Sequence, residues 1–287
     1  MRIETIGLYE AGLLPAQQNA GPARLTAYLT DTDTGIAEGR TGPAVLILPG
    51  GGYCWTSPRE AQPVALRFLA HGWQAFVLEY SCAPAVYPAA LREAAAALRL
   101  IRERGAEWGV DPAMTAVLGF SAGGHLAGTL AMRYDSAGLS DIGSPELLRP
   151  DVLLLGYPVT VSYGRYHKGS FDALSGGDEA LAEELSLDRM ARPDMPPVFL
   201  WHTRNDASVP VYGSLRFLEA LEQAGVDFAV HIYRCGHHGL ATADILSYPS
   251  MYLPEISADI PRWTEEAIAF CAEKGFAIHD KGGKQRI

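Results

Sequence analysis

The chain is punctuated by short apolar runs at Ala44–Leu48, Ala75–Leu78, Ala116–Leu118, Val152–Leu155, Val198–Trp201 and Phe228–Tyr233. Runs this short, with polar or glycine-rich stretches around them, predict strands, with those at Ala44–Leu48, Ala116–Leu118 and Val152–Leu155 buried. Arg24–Leu29 alternates apolar Leu25, Ala27 and Leu29 with Thr26 and Tyr28, which predicts an earlier strand with one wet face. Between the runs the spacing becomes helical. Val64, Leu66, Phe68 and Leu69 give one apolar face, closed by Gly72. Pro88–Trp108 predicts one long helix, with Leu91, Ala95, Leu98, Leu100 and Ile101 inward and Arg92, Glu93, Arg99 and Arg102 toward water. Further helices are expected from Ser121 to about Arg133, over Val211–Ala224 with Gly225 as its stop, and over Arg262–Lys274. Ser57-Pro58-Arg59-Glu60 reads as a capping box, with the regular helix starting near Pro63. Asp31–Gly42 and residues 135–149 read as surface loops, and Asp111-Pro112 as a turn.

Strand and helix alternate along the whole chain. That order predicts an α/β fold with a mostly parallel sheet covered by helices on both faces. No internal repeat or long linker divides residues 1–287, so a single domain is expected. Tyr157–Pro197 is polar and irregular apart from an amphipathic piece at Asp178–Leu185, and is expected to form a small cap insertion above the strand ends.

Composition narrows the function classes. The formal net charge is −10, which argues against nucleic acid or an anionic membrane as the main partner. No apolar run reaches the length of a membrane span. The four cysteines, Cys54, Cys82, Cys235 and Cys271, form no C-x-x-C pair, and Met1–Ile6 carries no signal-like apolar region. A cytoplasmic, reduced protein is the expectation, with Lys281–Arg286 as a frayed basic tail. No histidine pair has metal-binding helix spacing and H-E-x-x-H is absent, so neither metal nor cofactor is expected. Oligomeric state stays open between monomer and homodimer.

The candidate chemistry centres on Gly119-Phe120-Ser121-Ala122-Gly123, a G-x-S-x-G pattern between an apolar strand and a small-residue helix. A serine on such a turn is held clear of the backbone at the carboxyl end of a sheet, where α/β folds bind ligands. Gly119 and Gly123 are needed because side chains there would strike the strand and the helix. Ala122 starts the helix, so its N–H is free to meet an oxyanion. Pro49-Gly50-Gly51-Gly52-Tyr53 follows an earlier buried strand and can bring further N–H donors close to a ligand. Gly51 is favoured, with Gly50 or Gly52 assisting. Tyr53 and Trp55 either wall a substrate pocket or pack in the core.

A serine nucleophile needs a base and an orienting carboxylate. Asp206 follows the Val198–Trp201 strand at the carboxyl end of the sheet, whereas Asp194 and Asp227 precede their strands and belong at the other end. After the last strand, Cys235-Gly236-His237-His238-Gly239 offers two candidate bases. Of the other histidines, His125 reads as packed or hydrogen-bonded and His202 as lying beneath Asp206. His71, His167, His231 and His279 show no chemical context.

Several of these segments, taken together, resemble a known family. They are Pro49–Tyr53, Glu79-Tyr80, Tyr87-Pro88-Ala89, Trp108–Pro112, Gly119–Leu126, Trp201-His202-Thr203 with Asp206 and Val209-Pro210, and Gly236 with His238-Gly239. They resemble the bacterial acetylxylan esterase-like branch of the α/β-hydrolases over roughly residues 43–275. Members commonly read Gly-Gly-His-Gly or Gly-x-His-Gly at the base, which implies His238 as base and leaves His237 at the rim as a substrate contact. The resemblance implies an α/β-hydrolase fold, a Ser121–His238–Asp206 triad and no cofactor. It also implies removal of acetyl or another small acyl group from oligosaccharides such as xylan or mannan fragments. A general carboxylesterase, an arylformamidase and an inactive hydrolase fold used for binding are the alternatives.

Overall fold

The computed structural model describes residues 1–17, 19–31, 39–249 and 256–279. Among them, eight strands form one sheet in the order β1-β2-β4-β3-β5-β6-β7-β8. They are β1 Arg2–Gly7, β2 Arg24–Leu29, β3 Gly42–Leu48, β4 Gln74–Glu79, β5 Val110–Phe120, β6 Val152–Gly156, β7 Val198–Thr203 and β8 Phe228–Tyr233. The first two join antiparallel, and every pairing from β4 through β3 to β8 is parallel. The mostly parallel α/β architecture therefore holds. The one strand that went unforeseen is β1, a largely exposed edge strand with no clean alternation. The basic tail and most of the Asp31–Gly42 loop lie outside the described residues.

Alternation along buried strands sorts the core into two layers. In β3, Leu46 and Leu48 face one layer and Val45 and Ile47 the other. The first helices are α1 Gln62–Ala70, α2 Ala89–Glu103, α3 Gly105–Trp108 and α4 Ser121–Arg133. The short α5 Pro145–Leu148, α6 Lys168–Ser175, α7 Glu179–Glu184 and α8 Leu187–Met190 come next, then α9 Tyr212–Ala224 and α10 Trp263–Glu273. Leu98 and Ile101 of α2, Leu130 of α4 and Phe217 of α9 fill the first layer, whereas Phe68 of α1 and Trp263 of α10 fill the second.

Several local expectations are corrected. Ser57 makes no side-chain cap bond, and Pro58–Glu60 is a 3-10 turn ahead of α1. The Glu60 side chain is drawn inward instead, for reasons given below. The Pro88–Trp108 helix breaks at Arg104 into α2 and α3. Asp111-Pro112 lies inside β5, where the register against β3 shifts. Residues 135–149 form more than a loop, because Leu139, Ile142 and Leu148 are buried against the outer side of α2. That second covering explains why α2 has almost no wet face. Glu93, expected in water, is fully buried, as is Arg102. The Glu93 carboxylate accepts from the Ser81 N–H at 2.6 Å, from the Ser81 hydroxyl and from the Tyr9 hydroxyl at 2.6 Å. Arg102 donates to the Glu146 and Arg149 carbonyls and to Asp151. A helical phase marks which residues face the sheet, but it carries no information about what covers the other side.

Glu93 joins the N-terminal segment to the β4 end. Replacing it, Glu93→Ala, leaves three donors in a dry site, and the expected loss is about 3 kcal/mol in urea unfolding. Tyr9→Phe removes one donor with its bond and is expected to lose about 1 kcal/mol by the same measurement.

Candidate active site

β5 ends at Phe120, and α4 begins at Ser121 without a loop. Ser121 has φ +53°, a left-handed conformation that only a surrounding framework holds in a non-glycine residue. The framework has no room for side chains. A Cβ on Gly119 would strike the Gly123 carbonyl, and one on Gly123 would strike the carbonyls of Leu48 and Pro49. The turn, the start of α4 and the end of β3 are thus pressed together backbone to backbone. The Ser121 carbonyl accepts from the Val159 N–H at 2.9 Å, which fixes the turn against the segment after β6.

Three residues far apart in sequence meet at this turn. His238 Nε2 lies 2.8 Å from Ser121 Oγ, and His238 Nδ1 lies 2.7 Å from Asp206 Oδ2. A carboxylate only accepts, so His238 Nδ1 carries the proton and Nε2 accepts from the Ser121 hydroxyl. That tautomer is the one a general base requires. Asp206 Oδ1 accepts the N–H groups of Ser208 and Val209, each at 2.9 Å. Burial by itself would raise the Asp206 carboxyl. Hydrogen bonding to His202 and His238 and the Val209 N–H outweigh it and hold the carboxyl well below the usual carboxylate range. The Thr203 hydroxyl donates to the Gly236 carbonyl at 2.7 Å and the Gly236 N–H donates to Asn205 Oδ1 at 2.8 Å. These bonds tie the acid turn to the histidine loop.

The other expected site residues divide. Ala122 is the second residue of α4, so its N–H has no partner within the helix. Gly51 and Gly52 take φ values of +132° and +65°, and a Cβ on Gly51 would strike the Trp55 carbonyl. Gly50 is corrected as a helper, because its N–H donates to buried Glu60 Oε2 at 2.7 Å. Of the two readings of Tyr53, core packing holds: the chain turns at Gly51-Gly52 and sends its ring inward, 3% exposed, with its hydroxyl 2.9 Å from His125 Nδ1. Trp55 stays exposed beside Gly51. The His237 ring lies 4.6 Å from that of Tyr248, with the hydroxyl 3.2 Å from Nδ1. His125 is buried and hydrogen-bonded, as read from the sequence, and His202, read as lying beneath Asp206, is buried with Nε2 3.5 Å from Asp206 Oδ2.

One residue was passed over. His167, just before α6, sits beside the glycine loop, its Cε1 3.8 Å from where a Gly52 Cβ would stand. Its Nδ1 accepts from the Ser170 N–H at 3.2 Å and lies 2.8 Å from the Ser170 hydroxyl. An accepting Nδ1 leaves the proton on Nε2 as a donor. Half-burial lowers its pKa, and with Nδ1 accepting this donor is an uncharged imidazole. No sequence spacing links residue 167 to residue 52, which is why the site gave no sign of it.

Residues 45–196 match the family described as the alpha/beta hydrolase fold. The chain belongs to that family. Among solved structures, an acetyl ester-xyloside bifunctional hydrolase from Caldicellulosiruptor lactoaceticus is 35% identical with a TM-score of 0.81, covering 95% of this chain and 97% of that one. The carboxylesterase Cest-2923 from Lactobacillus plantarum is 27% identical with a TM-score of 0.82, covering 96% of this chain and 98% of that one. Among curated proteins, an acetylxylan esterase of Xylanibacter ruminicola is 27% identical over 81% of this chain and 49% of its own length. Endo-1,4-beta-xylanase B of Butyrivibrio fibrisolvens is 34% identical over 77% of this chain and 35% of its own length. This member of the alpha/beta hydrolase family thus spans about a third to a half of those curated relatives. Among its described residues, no helix is long and apolar enough to cross a membrane.

His125 provides a pH test of the scaffold behind the site. Burial pushes its pKa from 6.5 down to about 4, only partly offset by its bond to the Leu185 carbonyl. The folded protein therefore binds this proton more weakly than the unfolded chain, and stability falls as pH drops from 6.5 toward 4. The full contribution is about 3 kcal/mol. Urea midpoints measured at pH 7, 5 and 4 are expected to fall less steeply in His125→Asn than in the parent protein.

Proposed function

We propose that the chain is a serine carboxylic ester hydrolase that removes acetyl or another small acyl group from carbohydrate esters, such as acetylated xylan or mannan fragments. The observation that carries the chemistry is the continuous hydrogen-bonded chain from Ser121 Oγ through His238 to Asp206. The carbohydrate part draws support from the names of the full-length structural neighbour and the curated relatives.

In the proposed reaction Ser121 Oγ attacks the ester carbonyl while its proton passes to His238 Nε2. Asp206 holds the imidazolium that forms. The oxyanion is received by the Ala122 N–H and by Gly51, with Gly52 assisting. One such donor contributes roughly 3 kcal/mol to the transition state. Collapse of the tetrahedral intermediate breaks the ester C–O bond, and His238 returns the proton to the departing alcohol. Water, deprotonated by His238, then attacks the acyl-enzyme and releases the carboxylic acid and free Ser121. In this reading, residues 157–197 act as a cap, and the His167 Nε2–H binds a hydroxyl of the sugar. Trp55, exposed beside Gly51, offers a sugar a flat apolar surface, and His237 with Tyr248 stands at the rim.

A general small-ester carboxylesterase is the second reading, favoured by the full-length likeness to Cest-2923. Hydrolysis of p-nitrophenyl acetate, butyrate and octanoate, alongside acetylated xylo-oligosaccharide, separates the two. The expected outcome is activity that falls with acyl length, acetate release from the sugar, and loss of at least about 10⁴-fold in Ser121→Ala. Serine-dependent turnover without acetate release would move the protein to the general carboxylesterases or to arylformamidases. Equal rates for parent and Ser121→Ala would overturn the triad.

His167→Phe is expected to raise KM for the acetylated oligosaccharide about fivefold, with less change on p-nitrophenyl acetate. One hydrogen bond to a neutral group is worth about 1 kcal/mol. Equal effects on both substrates would remove His167 from sugar binding.

A further inference from the structure

Glu60 is 2% exposed and makes no ion pair among the described residues. Its two oxygens reach in different directions. Oε2 accepts the Gly50 N–H at 2.7 Å, and Oε1 accepts the Tyr157 hydroxyl at 2.7 Å. The Tyr157 oxygen in turn accepts the Ala241 N–H at 2.8 Å. One carboxylate thus links the glycine loop after β3, the residue that follows β6, and the loop that carries His238. The Tyr157 ring also lies 5.0 Å from the His238 imidazole, edge to face. Each joined segment is tightly fixed elsewhere. The Pro49 carbonyl accepts from the Tyr80 hydroxyl at 2.6 Å, the Gly50 carbonyl from the Ser57 N–H at 2.8 Å, and the Ala241 carbonyl from Trp263 Nε1 at 2.9 Å. Tyr157 and Ala241 both hold positive φ, at +36° and +52°, so neither segment rests in a relaxed conformation of its own.

We propose that Glu60 is a positioning residue that sets the spacing between the oxyanion loop and the His238 loop through Gly50 and Tyr157. This rests on the serine hydrolase reading above and assigns Glu60 no contact with substrate. The physical argument is donor counting. The Gly50 N–H donates to one Glu60 oxygen and the Tyr157 O–H to the other, while the Ala241 N–H occupies the Tyr157 oxygen, and an acceptor-only group completes that chain. A protonated carboxyl or an amide would put a donor against one of them. Because the site is dry, the ionised form is costly, and burial raises the Glu60 pKa. The bonds from Tyr157 and Gly50 and the charge of Arg59 oppose that rise. Keeping a buried charge that aliphatic packing could replace makes sense where geometry is the product. Gly50 directly precedes Gly51, and a Cβ on Gly50 would lie 2.8 Å from Ser121 Cβ, so a shift there moves the proposed oxyanion donors relative to the nucleophile.

The test compares Glu60→Gln, Tyr157→Phe and the double variant with the parent. Tyr157→Phe keeps the ring against His238 and is the safeguard should the Glu60 variant fold poorly. The substrate is p-nitrophenyl acetate. A phenylboronic acid, which forms a tetrahedral adduct on a serine nucleophile, probes the oxyanion site, and melting temperature reports folding. The expected result is a fall in kcat of about 10- to 100-fold with KM changed less than about threefold. Boronate affinity should drop in parallel with kcat, and the double variant should lose no more than the worse single one, because both cut the same chain. A lower melting temperature with kcat and boronate affinity unchanged would overturn the proposal and leave Glu60 a stabilising residue. Additive losses in the double variant would overturn the shared path. An inactive parent that no fluorophosphonate labels at Ser121 would instead sink the serine hydrolase reading itself.

Discussion

Everything at the site depends on how closely three pieces of backbone approach at Ser121. The carbonyls of Leu48 and Pro49 lie where a Gly123 side chain would begin, and the Gly123 carbonyl lies where one on Gly119 would begin. No other residue type fits those positions. The reward for this crowding is a serine at φ +53° whose hydroxyl stands clear of its own backbone and meets His238. The sheet makes the strain tolerable. β5 is central, paired with β3 and β6 on either side, so the turn cannot relax without disturbing two ladders.

A second regularity is the treatment of buried carboxylates. Asp206, Glu60 and Glu93 are each removed from water, and each accepts hydrogen bonds from at least two other residues. An isolated buried charge would be very costly, and only such saturation keeps these groups in place. The three join different parts of the molecule. Glu93 holds the N-terminal segment to the end of β4, Asp206 orders the turn after β7, and Glu60 connects the glycine loop to the histidine loop. The imidazoles of His125 and His202 are likewise hydrogen-bonded on both nitrogens.

Much of this was legible in the order of residues. Five of the six apolar runs lie within buried strands, four of them at nearly the expected limits, whereas β5 extends well beyond Ala116–Leu118 and takes in Asp111-Pro112. The sixth, Phe228–Tyr233, is also a strand, but a half-exposed one at the sheet edge. The strand-to-helix elbow at Ser121 was legible from its glycine spacing, although only the Gly119 contact is local and Gly123 answers to Leu48 and Pro49. Asp206 and the His237-His238 pair were legible because a parallel sheet puts the residues after its strands at one end, and the choice of His238 within the pair came from the family resemblance.

Other features required the folded molecule. Glu60 looked like a helix cap, yet its partners are ten and nearly a hundred residues away. Tyr53 could have lined a pocket or the core, and the turn at Gly51-Gly52 decided for the core. Glu93 and Arg102 sat on the polar phase of a helix that a second layer of chain then covered. His167 acquires a setting only because the segment after β6 returns over the glycine loop. Apolar periodicity and local steric demands reside in the sequence itself, so the sequence by itself determined the strands, the elbow and the end of the sheet where chemistry collects. The partner of a buried polar group is chosen by chain reversals many residues distant, so only the tertiary structure decided which donors meet Glu60 and which side chains border Ser121.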